Sequence, residues 1–346
     1  NAQFALRELG KPLIVIVAGL DGVGKGELVH RLNEWLDPRG VETNAFLSKT
    51  DEEMERPRFW RYWRAMPARG KIAIYFGSWY TGPILRRTNK SMSKQELSAC
   101  LDRVNFHEEM LVQEGILIVK IWLNVSKRTH EKIVHRITEN GPSADQRLLP
   151  LDWEHFSEFD EFAEVSRQVL EKTDSEAAPW FVIPSKNSNY RDITVGETIA
   201  SEMEKALEES SQSKAKPAVA GVGKKPGRVH SGRHLEQVDL SQRLEKKEYR
   251  EQLRHYQQRL NVLSIEAWQR KVSSVLVFEG WDAAGKGSAI RRVARATDPR
   301  LCRVVPFAAP TEEEGSHHYL WRFWRHLPAG GRMTIYDRSW YGRVLV

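Results

Sequence analysis

The sequence predicts an α/β fold with a parallel sheet flanked by helices, present in two tandem copies. Each copy begins with an apolar, β-branched run, Leu13–Val17 or Val275–Phe278, which is typical of a buried parallel strand. A glycine-rich turn follows each run, and a helical pattern comes next, over Glu27–Leu36 or Ser288–Ala296. Because strands and helices alternate, the pattern favours a parallel sheet over an antiparallel one.

An internal repeat supports the prediction of two copies. Residues 14–39 (IVIVAGLDGVGKGELVHRLNEWLDPR) align with residues 275–300 (VLVFEGWDAAGKGSAIRRVARATDPR) at an offset of 261 residues (275 − 14). The same offset aligns residues 59–80 with residues 320–341 without a gap. A match of this length does not arise by chance, so the sequence predicts a tandem duplication.

The remaining elements follow in chain order. A later strand is predicted in each copy, at Lys71–Phe76 and Arg332–Asp337. The first copy then continues through a helix, a buried strand, a polar charged region, a second helix, a short strand and a last helix: Lys94–Glu114, Ile116–Leu123, Ser126–Trp153, His155–Thr173, Trp180–Ile183 and Thr194–Leu207.

These elements predict three regions. Residues 1–207 form a complete first repeat, and residues 208–235 form a flexible basic linker rich in Ser, Lys, Ala, Gly and Pro. Residues 236–346 begin with a long helical pattern at 239–271 and form the N-terminal part of a second repeat. The second repeat has no counterpart of residues 86–207, so we expect a fragment of a longer two-domain protein.

The composition restricts the class of protein. The net charge of +7 fits either a solvated basic surface or a polyanionic partner such as nucleic acid, a phosphate polymer or anionic lipid. Cys100 and Cys302 lack metal-ligand spacing, which argues against a zinc site or a disulfide framework and fits a reducing, cytoplasmic setting. No apolar run reaches the roughly 18 residues of a membrane span, and the N-terminus shows no signal peptide.

Both copies carry the motif G-x-x-x-x-G-K, at Gly19–Lys25 and Gly280–Lys286. Each motif follows a predicted strand and opens a predicted helix, which is the context of a phosphate-binding P-loop rather than of an incidental glycine-rich turn. Glycines let backbone N–H groups surround phosphate oxygens, and the helix N-terminus adds a positive dipole end. Lys286 then supplies a point charge for the transferring phosphate.

The motif departs from the usual P-loop at one position, and carboxylates nearby suggest a replacement. Gly26 and Gly287 stand where a Ser or Thr hydroxyl usually binds Mg²⁺. Metal ions therefore need other ligands, and carboxylates suit Mg²⁺. Asp21 and Asp282 lie inside the two loops, and Asp337 ends the following strand of the second copy. The alternative for Asp337 is a helix cap or a salt bridge to its neighbour.

The two copies differ where that strand ends. The second copy reads Asp337-Arg338, whereas the first reads Phe76-Gly77. Phe cannot hold a metal ion and Gly cannot donate charge to a phosphoryl group. The first copy is therefore predicted to bind phosphate weakly or not at all, and to serve in assembly or substrate capture.

A shared block, W-R-[YF]-W-R-x-[ML]-P, places Trp and Arg three residues apart on a helix face. The tryptophans are predicted to lie mostly in the core. For Arg322 and Arg325 two interpretations stay open, salt bridges to nearby acids or contacts with phosphate oxygens, which guanidinium groups match well.

Four segments, GWDAAGKG (280–287), APTEEE (309–314), YLWRFWRHLPAGG (319–331) and YDRSWYGR (336–343), resemble the polyphosphate kinase 2 family. The tandem arrangement with a degenerate first copy is similar to the two-domain polyphosphate:AMP phosphotransferase type. In the first copy, DWEHF (152–156) and APW (178–180) also resemble family motifs.

The resemblance implies a P-loop kinase fold related to thymidylate kinase, with a helical lid. It implies phosphoryl transfer from inorganic polyphosphate to a nucleotide, AMP giving ADP, with Mg²⁺ (or Mn²⁺) as cofactor. By position, Asp282 and Asp337 would hold the metal, while Lys286 and Arg338 would stabilise charge. The phosphate-binding residues would be Gly280, Ala284, Gly285, Gly287, Ser288, Arg322 and Arg325, with weak counterparts Asp21, Gly24, Lys25 and Gly26 in the first repeat.

Two other functions stay open at this point. One is an ATP-dependent nucleoside monophosphate kinase, and the other is a non-catalytic protein that binds polyphosphate or nucleic acid. Nucleic-acid binding lacks a recognisable module here. We therefore expect polyphosphate and nucleotide substrates, no nucleic-acid or membrane partner, a homo-oligomer and a cytoplasmic setting.

Overall fold

The computed structural model describes residues 2–20, 22–46, 49–140, 159–213, 239, 241–281, 283–298 and 301–342. Contacts divide these residues into two compact units. Unit 1 comprises the described residues within 1–49, 61–216 and 316–318, and unit 2 comprises those within 50–60, 217–315 and 319–346.

Unit 1 contains a five-stranded sheet in which neighbouring strands run parallel. Its central strand is buried on both faces, so helices must cover both sides of the sheet. The register places Leu13 opposite both Ile72 and Leu117. The strands are β1 (Leu13–Gly19), β2 (Val41–Ala45), β3 (Ile72–Phe76), β4 (Leu117–Asn124) and β5 (Trp180–Pro184), in the order β2-β3-β1-β4-β5.

Helices cover this sheet and bury its aliphatic side chains. Leu28 and Val195 lie on two of these helices and pack in one cluster with Val15 of β1. In chain order up to residue 213 the helices are α1 (Ala2–Leu9), α2 (Lys25–Trp35), α3 (Asp51–Met54), α4 (Trp60–Arg64), α5 (Thr81–Thr88), α6 (Lys94–Gln113), α7 (Lys127–Asn140), α8 (Phe159–Thr173) and α9 (Ser188–Ser213). Helix α3 and the first residue of α4 fall within unit 2.

Unit 2 contains a three-stranded parallel sheet with the same strand order as one half of unit 1. The order is β6-β8-β7, which corresponds to β1-β3-β2. From residue 246 onward the elements are α10 (Lys246–Gln269), β6 (Ser274–Phe278), α11 (Lys286–Ala294), β7 (Cys302–Pro306), α12 (Glu312–Ser316), α13 (Trp321–Trp324) and β8 (Met333–Asp337).

The predicted strands are confirmed within two residues at each end, but two regions of unit 1 differ from their predictions. The polar stretch Ser126–Trp153 was not predicted to be helical, yet Lys127–Asn140 forms α7. Among the described side chains of α7, the one buried polar group is His130. Its ring centroid lies 5.2 Å from that of Phe159, so this face of the polar helix packs against α8. Residues 141–158, including the DWEHF segment, lie outside the described residues, as does most of the predicted linker.

The last helix of unit 1 is longer than its pattern predicted, since it runs over Ser188–Ser213 rather than from Thr194 to Leu207. Among the described helices, none is both long and apolar enough to cross a membrane.

A buried ionic network joins β4 to α6 in unit 1. Lys120, fully buried on β4, donates to the Glu108 carboxylate at 2.8 Å and to the Thr173 carbonyl at 2.7 Å. Glu108 also accepts from Trp79 Nε1 at 2.8 Å and from the Tyr80 hydroxyl at 2.5 Å. Burial lowers the pKa of Lys120, and Glu108 opposes that shift. The charge pair therefore holds the strand, the helix and the aromatic segment together.

Glu108→Ala is expected to destabilise unit 1 by about 3–5 kcal/mol, because it leaves the Lys120 ammonium buried without its counter-charge. The joint change Glu108→Leu with Lys120→Met is expected to cost less, since no charge stays buried. Urea unfolding followed by tryptophan fluorescence measures both. Arg167→Ala, which breaks exposed pairs to Glu164 and Glu171, is the control and should cost below about 1 kcal/mol. A Glu108→Ala loss as small as this control would contradict the assignment.

His107 is a second buried titratable group of unit 1. Its ring lies 5.2 Å from the ring of Trp79 and 6.1 Å from that of Trp63, and the residue is 4% exposed. Burial, with a smaller contribution from the charge of His318, lowers the pKa of His107 to about 3. The native state therefore keeps this imidazole neutral where an unfolded chain would protonate it.

The stability of unit 1 is expected to fall as pH drops below the unfolded-state pKa of about 6.5, because only the unfolded chain binds a proton there. Between pH 7.5 and pH 5.0 this single group contributes a loss of about 2 kcal/mol. His107→Phe keeps an aromatic ring beside the tryptophans and removes the group whose protonation makes the unfolding free energy depend on pH. Unfolding free energies over this pH range should fall less steeply for the variant; identical slopes would rule the effect out.

Candidate functional site

The phosphate-binding loop of unit 2 connects β6 to α11 through left-handed backbone. Gly280, Ala283 and Gly285 have φ values of 148°, 64° and 91°. Gly285 is the N-cap of α11, which begins directly at Lys286. The helix N-terminus, with its positive dipole end and unpaired N–H groups, therefore opens at the loop.

A cleft of about 580 Å³ lies at this loop, where the carboxyl ends of the strands meet. The register places Asp337 opposite both Phe278 and Pro306, so the three strand ends converge. The cleft brings together three cations, one carboxylate and the loop backbone; its lining is Ala283, Gly285, Lys286, Gly287, Ser288, Arg291, Pro306, Phe307, Ala308, Asp337 and Arg338.

The Lys286 ammonium is held by the loop itself. Its Nζ donates to the carbonyls of Gly280 at 2.8 Å and Trp281 at 2.9 Å. Gly280 and Ala284 do not line the cleft, although a Cβ on Gly280 would lie 3.8 Å from Ala284 Cβ. Both residues therefore shape the loop that positions the lysine.

Arg291 lines the cleft and was not among the predicted site residues. Its Nε donates to the Gly287 carbonyl at 3.2 Å. The sequence signal was present, because a residue four positions after Gly287 on a helix lies above the loop.

The end of β8 holds Arg338 in a strained conformation. Its φ is 69°, in the left-handed region, and its N–H donates to the Phe278 carbonyl at 3.0 Å. The counterpart in unit 1, Gly77, has nearly the same φ of 80° without a side chain to strain. A non-glycine residue in such a conformation costs about 1–3 kcal/mol and is commonly retained at functional sites.

Glu279, also missed by the sequence reading, anchors the segment after Arg338. Its Oε1 accepts from both the N–H and the hydroxyl of Ser339, each at 2.7 Å. The position 261 residues earlier is Ala18, so unit 1 lacks this anchor. Glu279 thus fixes the backbone that presents the strained arginine.

The arginines of the Trp/Arg block lie outside the cleft lining. Arg322 pairs with Glu314 at 3.2 Å and donates to the carbonyl of Ala308, a lining residue, at 2.9 Å. Arg325 pairs with Glu313 at 3.6 Å. Both arginines thus form the salt bridges of the first interpretation. Contact of Arg322 or Arg325 with phosphate stays a prediction.

The predicted metal ligands are described only in part. Asp21 and Asp282 lie outside the described residues, whereas Asp337 lines the cleft. The described residues contain no cluster of three or more His, Cys, Asp or Glu side chains with metal-binding geometry. Gly26 and Gly287 have open space where a Cβ would lie, so sterics do not explain the missing hydroxyl.

Unit 1 repeats the loop but not its surroundings. Gly24 is left-handed with φ 92°, and Lys25 Nζ donates to the Gly19 carbonyl at 2.9 Å. The lysine lies 5.9 Å from the ring centroid of Phe76, which stands where Asp337 stands in unit 2. An aromatic ring thus faces the lysine in place of a carboxylate.

Comparisons with known proteins agree with this geometry. The family model of Polyphosphate kinase 2 (PPK2) matches residues 1–211 and 243–346. A protein of Pseudomonas aeruginosa named polyphosphate:AMP phosphotransferase is 42% identical over the whole chain, and one of Pseudomonas syringae pv. tomato with the same name is 41% identical; the chain covers 69% of each. A crystal structure assigned to polyphosphate kinase 2 from Pseudomonas aeruginosa PA01 superposes with a TM-score of 0.82 at 41% identity, covering 99% of this chain and 66% of that one.

Arg338→Gly is expected to stabilise unit 2 relative to Arg338→Ala by about 1 kcal/mol, because only glycine adopts the left-handed backbone without a Cβ penalty. The alanine variant is the matched control, since both changes remove the guanidinium. Denaturant unfolding of the two variants measures the difference. Equal stabilities would show that residue 338 is not strained.

Proposed function

This chain belongs to the polyphosphate kinase 2 family, and on that premise we propose that unit 2 transfers a terminal phosphoryl group from inorganic polyphosphate to AMP, giving ADP. Two relatives that match the whole chain at 42% and 41% identity are named polyphosphate:AMP phosphotransferases. The chain spans about two thirds of the length of such relatives, so the activity is proposed for the full-length protein.

The observation that carries the proposal is the unit 2 cleft, which collects Lys286, Arg291, Arg338 and Asp337 around one loop. Phosphoryl transfer needs little covalent help from a protein, and catalysis comes from positioning and charge stabilisation. Lys286, held by two loop carbonyls, offers a fixed positive charge at the helix N-terminus. Arg338 offers a planar guanidinium, which matches phosphate oxygens in a bidentate manner.

Asp337 and Asp282 are the residues proposed to hold Mg²⁺ or Mn²⁺. The Asp337 carboxylate fits this role, because it lines the cleft and oxygen ligands suit Mg²⁺. Glu279 does not line the cleft, and its Oε1 accepts from Ser339. When bound, the ion supplies positive charge to phosphate oxygens. Lys286 and Arg338, which line the same cleft, would then orient the donor phosphates.

We also propose that the two units arose by tandem duplication and that unit 1, the first repeat, is degenerate in catalysis. The shared strand order and the constant offset support a common origin. Phe76 and Gly77 remove the carboxylate and the arginine. A Cβ on Gly77 would lie 2.9 Å from the Phe46 carbonyl oxygen, so an arginine there requires a backbone shift. The loss in unit 1 is therefore more than a change of two side chains.

In the full-length protein, Lys286→Ala and Asp337→Asn are each expected to lower kcat at least about 100-fold, because each removes a preorganised charge from the cleft. Lys25→Ala, the matched change in unit 1, is expected to leave kcat within about threefold, since Phe76 stands in unit 1 at the position of Asp337. ADP production from AMP and polyphosphate without ATP is the measurement. Comparable losses from the Lys25 and Lys286 changes would refute the division of labour.

The same assay tests the donor and the acceptor. ADP formed only when ATP replaces polyphosphate would overturn the polyphosphate donor in favour of a nucleoside monophosphate kinase. Parallel reactions with ADP and GMP test the proposed preference for AMP, which fails if either is phosphorylated faster.

A further inference from the structure

Unit 1 has a cleft of its own, of about 590 Å³, at the carboxyl ends of β1, β4 and β5. Three segments that follow these strands converge on it: the loop after β1, the start of α7 and the β5–α9 connection. Its lining is Gly22, Val23, Gly24, Glu27, Ser126, Arg128, Thr129, Lys132, Ile133, Arg136, Ser185, Lys186, Ser188 and Arg191. The Ser185 hydroxyl donates to the Val23 carbonyl and joins two of these segments.

Helix α7 contributes a row of three cations to this cleft. Arg128, Lys132 and Arg136 are spaced four residues apart, so they share one helix face. With a rise of 1.5 Å per residue, the row extends for about 12 Å along the helix. Lys186 adds a fourth exposed cation from the segment after β5. The positive charge is therefore arranged as a line rather than as a point.

The described residues around these four cations do not neutralise them. Within the described ranges, none of them forms an ion pair, whereas Arg167 on the next helix pairs with both Glu164 and Glu171. Like charges that face one cleft repel each other, and a bound anion would relieve that repulsion.

The fifth cation, Arg191, is built into the wall of the cleft. Its side chain is 3% exposed, with Nε 2.7 Å from Asp192 and Nη1 3.2 Å from Glu27. Nη1 also lies 1.8 Å from the position that a Cβ on Gly24 would occupy, so the guanidinium rests directly against the phosphate-binding loop. Two carboxylates therefore hold a buried, preoriented guanidinium beside the loop.

We propose that this cleft of unit 1 binds inorganic polyphosphate as an accessory site and does not turn it over. A row of cations about 12 Å long matches an extended chain of phosphates better than a single phosphate group. The described lining residues include no aromatic side chain, which is the usual stacking platform for the bases of single-stranded nucleic acid. Phe76 and Gly77 stand where unit 2 has Asp337 and Arg338, so unit 1 lacks the carboxylate and the arginine proposed for transfer.

This inference rests on the proposed function only for the choice of polyphosphate among linear polyanions, and its test needs no turnover. It also revises the expectation of weak or no phosphate binding by the first copy. That expectation was based on the loop and on the end of β3. The side chains of α7 and Arg191 add positive charge beside the loop from distant parts of the sequence.

The test measures binding of labelled inorganic polyphosphate to the full chain by fluorescence anisotropy. All proteins carry Lys286→Ala, which weakens the cleft of unit 2. Adding Arg128→Gln, Lys132→Gln and Arg136→Gln together is expected to weaken binding at least about tenfold and to make its salt dependence less steep, since fewer counterions are released. A loss below about twofold would overturn the proposal.

A matched control is available on α10, where Lys246, Arg250 and Arg254 are exposed and have the same four-residue spacing. Changing these three to Gln removes the same charge and should leave binding within about twofold. An equal loss in the control would show that net charge, not the cleft, binds the chain. Lys186→Gln tests the site from a segment outside α7, and circular dichroism checks that each variant is folded. No loss with Lys186→Gln would exclude this segment from the site.

Competition separates the ligand classes. Tripolyphosphate and ATP, which carry equal numbers of phosphates, are expected to displace the labelled chain at similar concentrations. Much stronger displacement by ATP would overturn the assignment in favour of a nucleotide site, and stronger displacement by a single-stranded oligonucleotide would overturn it in favour of nucleic acid. Failure to form ADP from AMP would refute the proposed function of unit 2 without affecting these binding results.

Discussion

Parallel pairing of the strands is the constraint on which both clefts depend. In unit 2, the register that sets Asp337 beside Phe278 and Pro306 makes three strands end at one edge. The loop that follows β6 must then turn sharply to start α11, and left-handed Gly285 allows that turn. The helix N-terminus, the lysine and the carboxylate are therefore brought to one edge by backbone hydrogen bonding, before any ligand is considered. The same pairing of β1 with β3 in unit 1 sets Phe76 beside Val17.

The two units show how one backbone can serve different chemistry. Residues 77 and 338 have almost the same left-handed φ, 80° and 69°. Glycine suits that conformation, whereas arginine is strained in it, and Glu279 holds the segment after the arginine in place. Strain at Arg338 together with an anchor absent from unit 1 indicates that unit 2 keeps an arginine there for its charge. Unit 1 has at this position glycine, the residue that adopts the conformation without strain.

The clefts of the two units differ in the charged side chains that line them. The unit 2 cleft combines three cations with the carboxylate expected of a transferring site. The unit 1 cleft combines five cations with one lining carboxylate, Glu27, which is already paired with Arg191. A cleft of this second kind favours retention of a polyanion, because its one described carboxylate is paired with Arg191 and its other charged side chains are positive. The absence of the Asp337-Arg338 pair from unit 1 is therefore compatible with an anion-binding surface there.

The sequence by itself determined the α/β class, the two loops and the contrast between Phe76-Gly77 and Asp337-Arg338. Those features are local, because strand runs, glycine turns and helix starts follow from neighbouring residues and recur at a constant offset. It also supplied the family resemblance on which the substrate assignment depends. Tertiary structure alone decided that Arg322 does not line the unit 2 cleft, that Glu279 anchors Ser339, and that Arg191 rests against Gly24 from 167 positions away (191 − 24). Such contacts depend on which strand ends meet and how helices pack over them, and neighbouring residues in the sequence do not encode that.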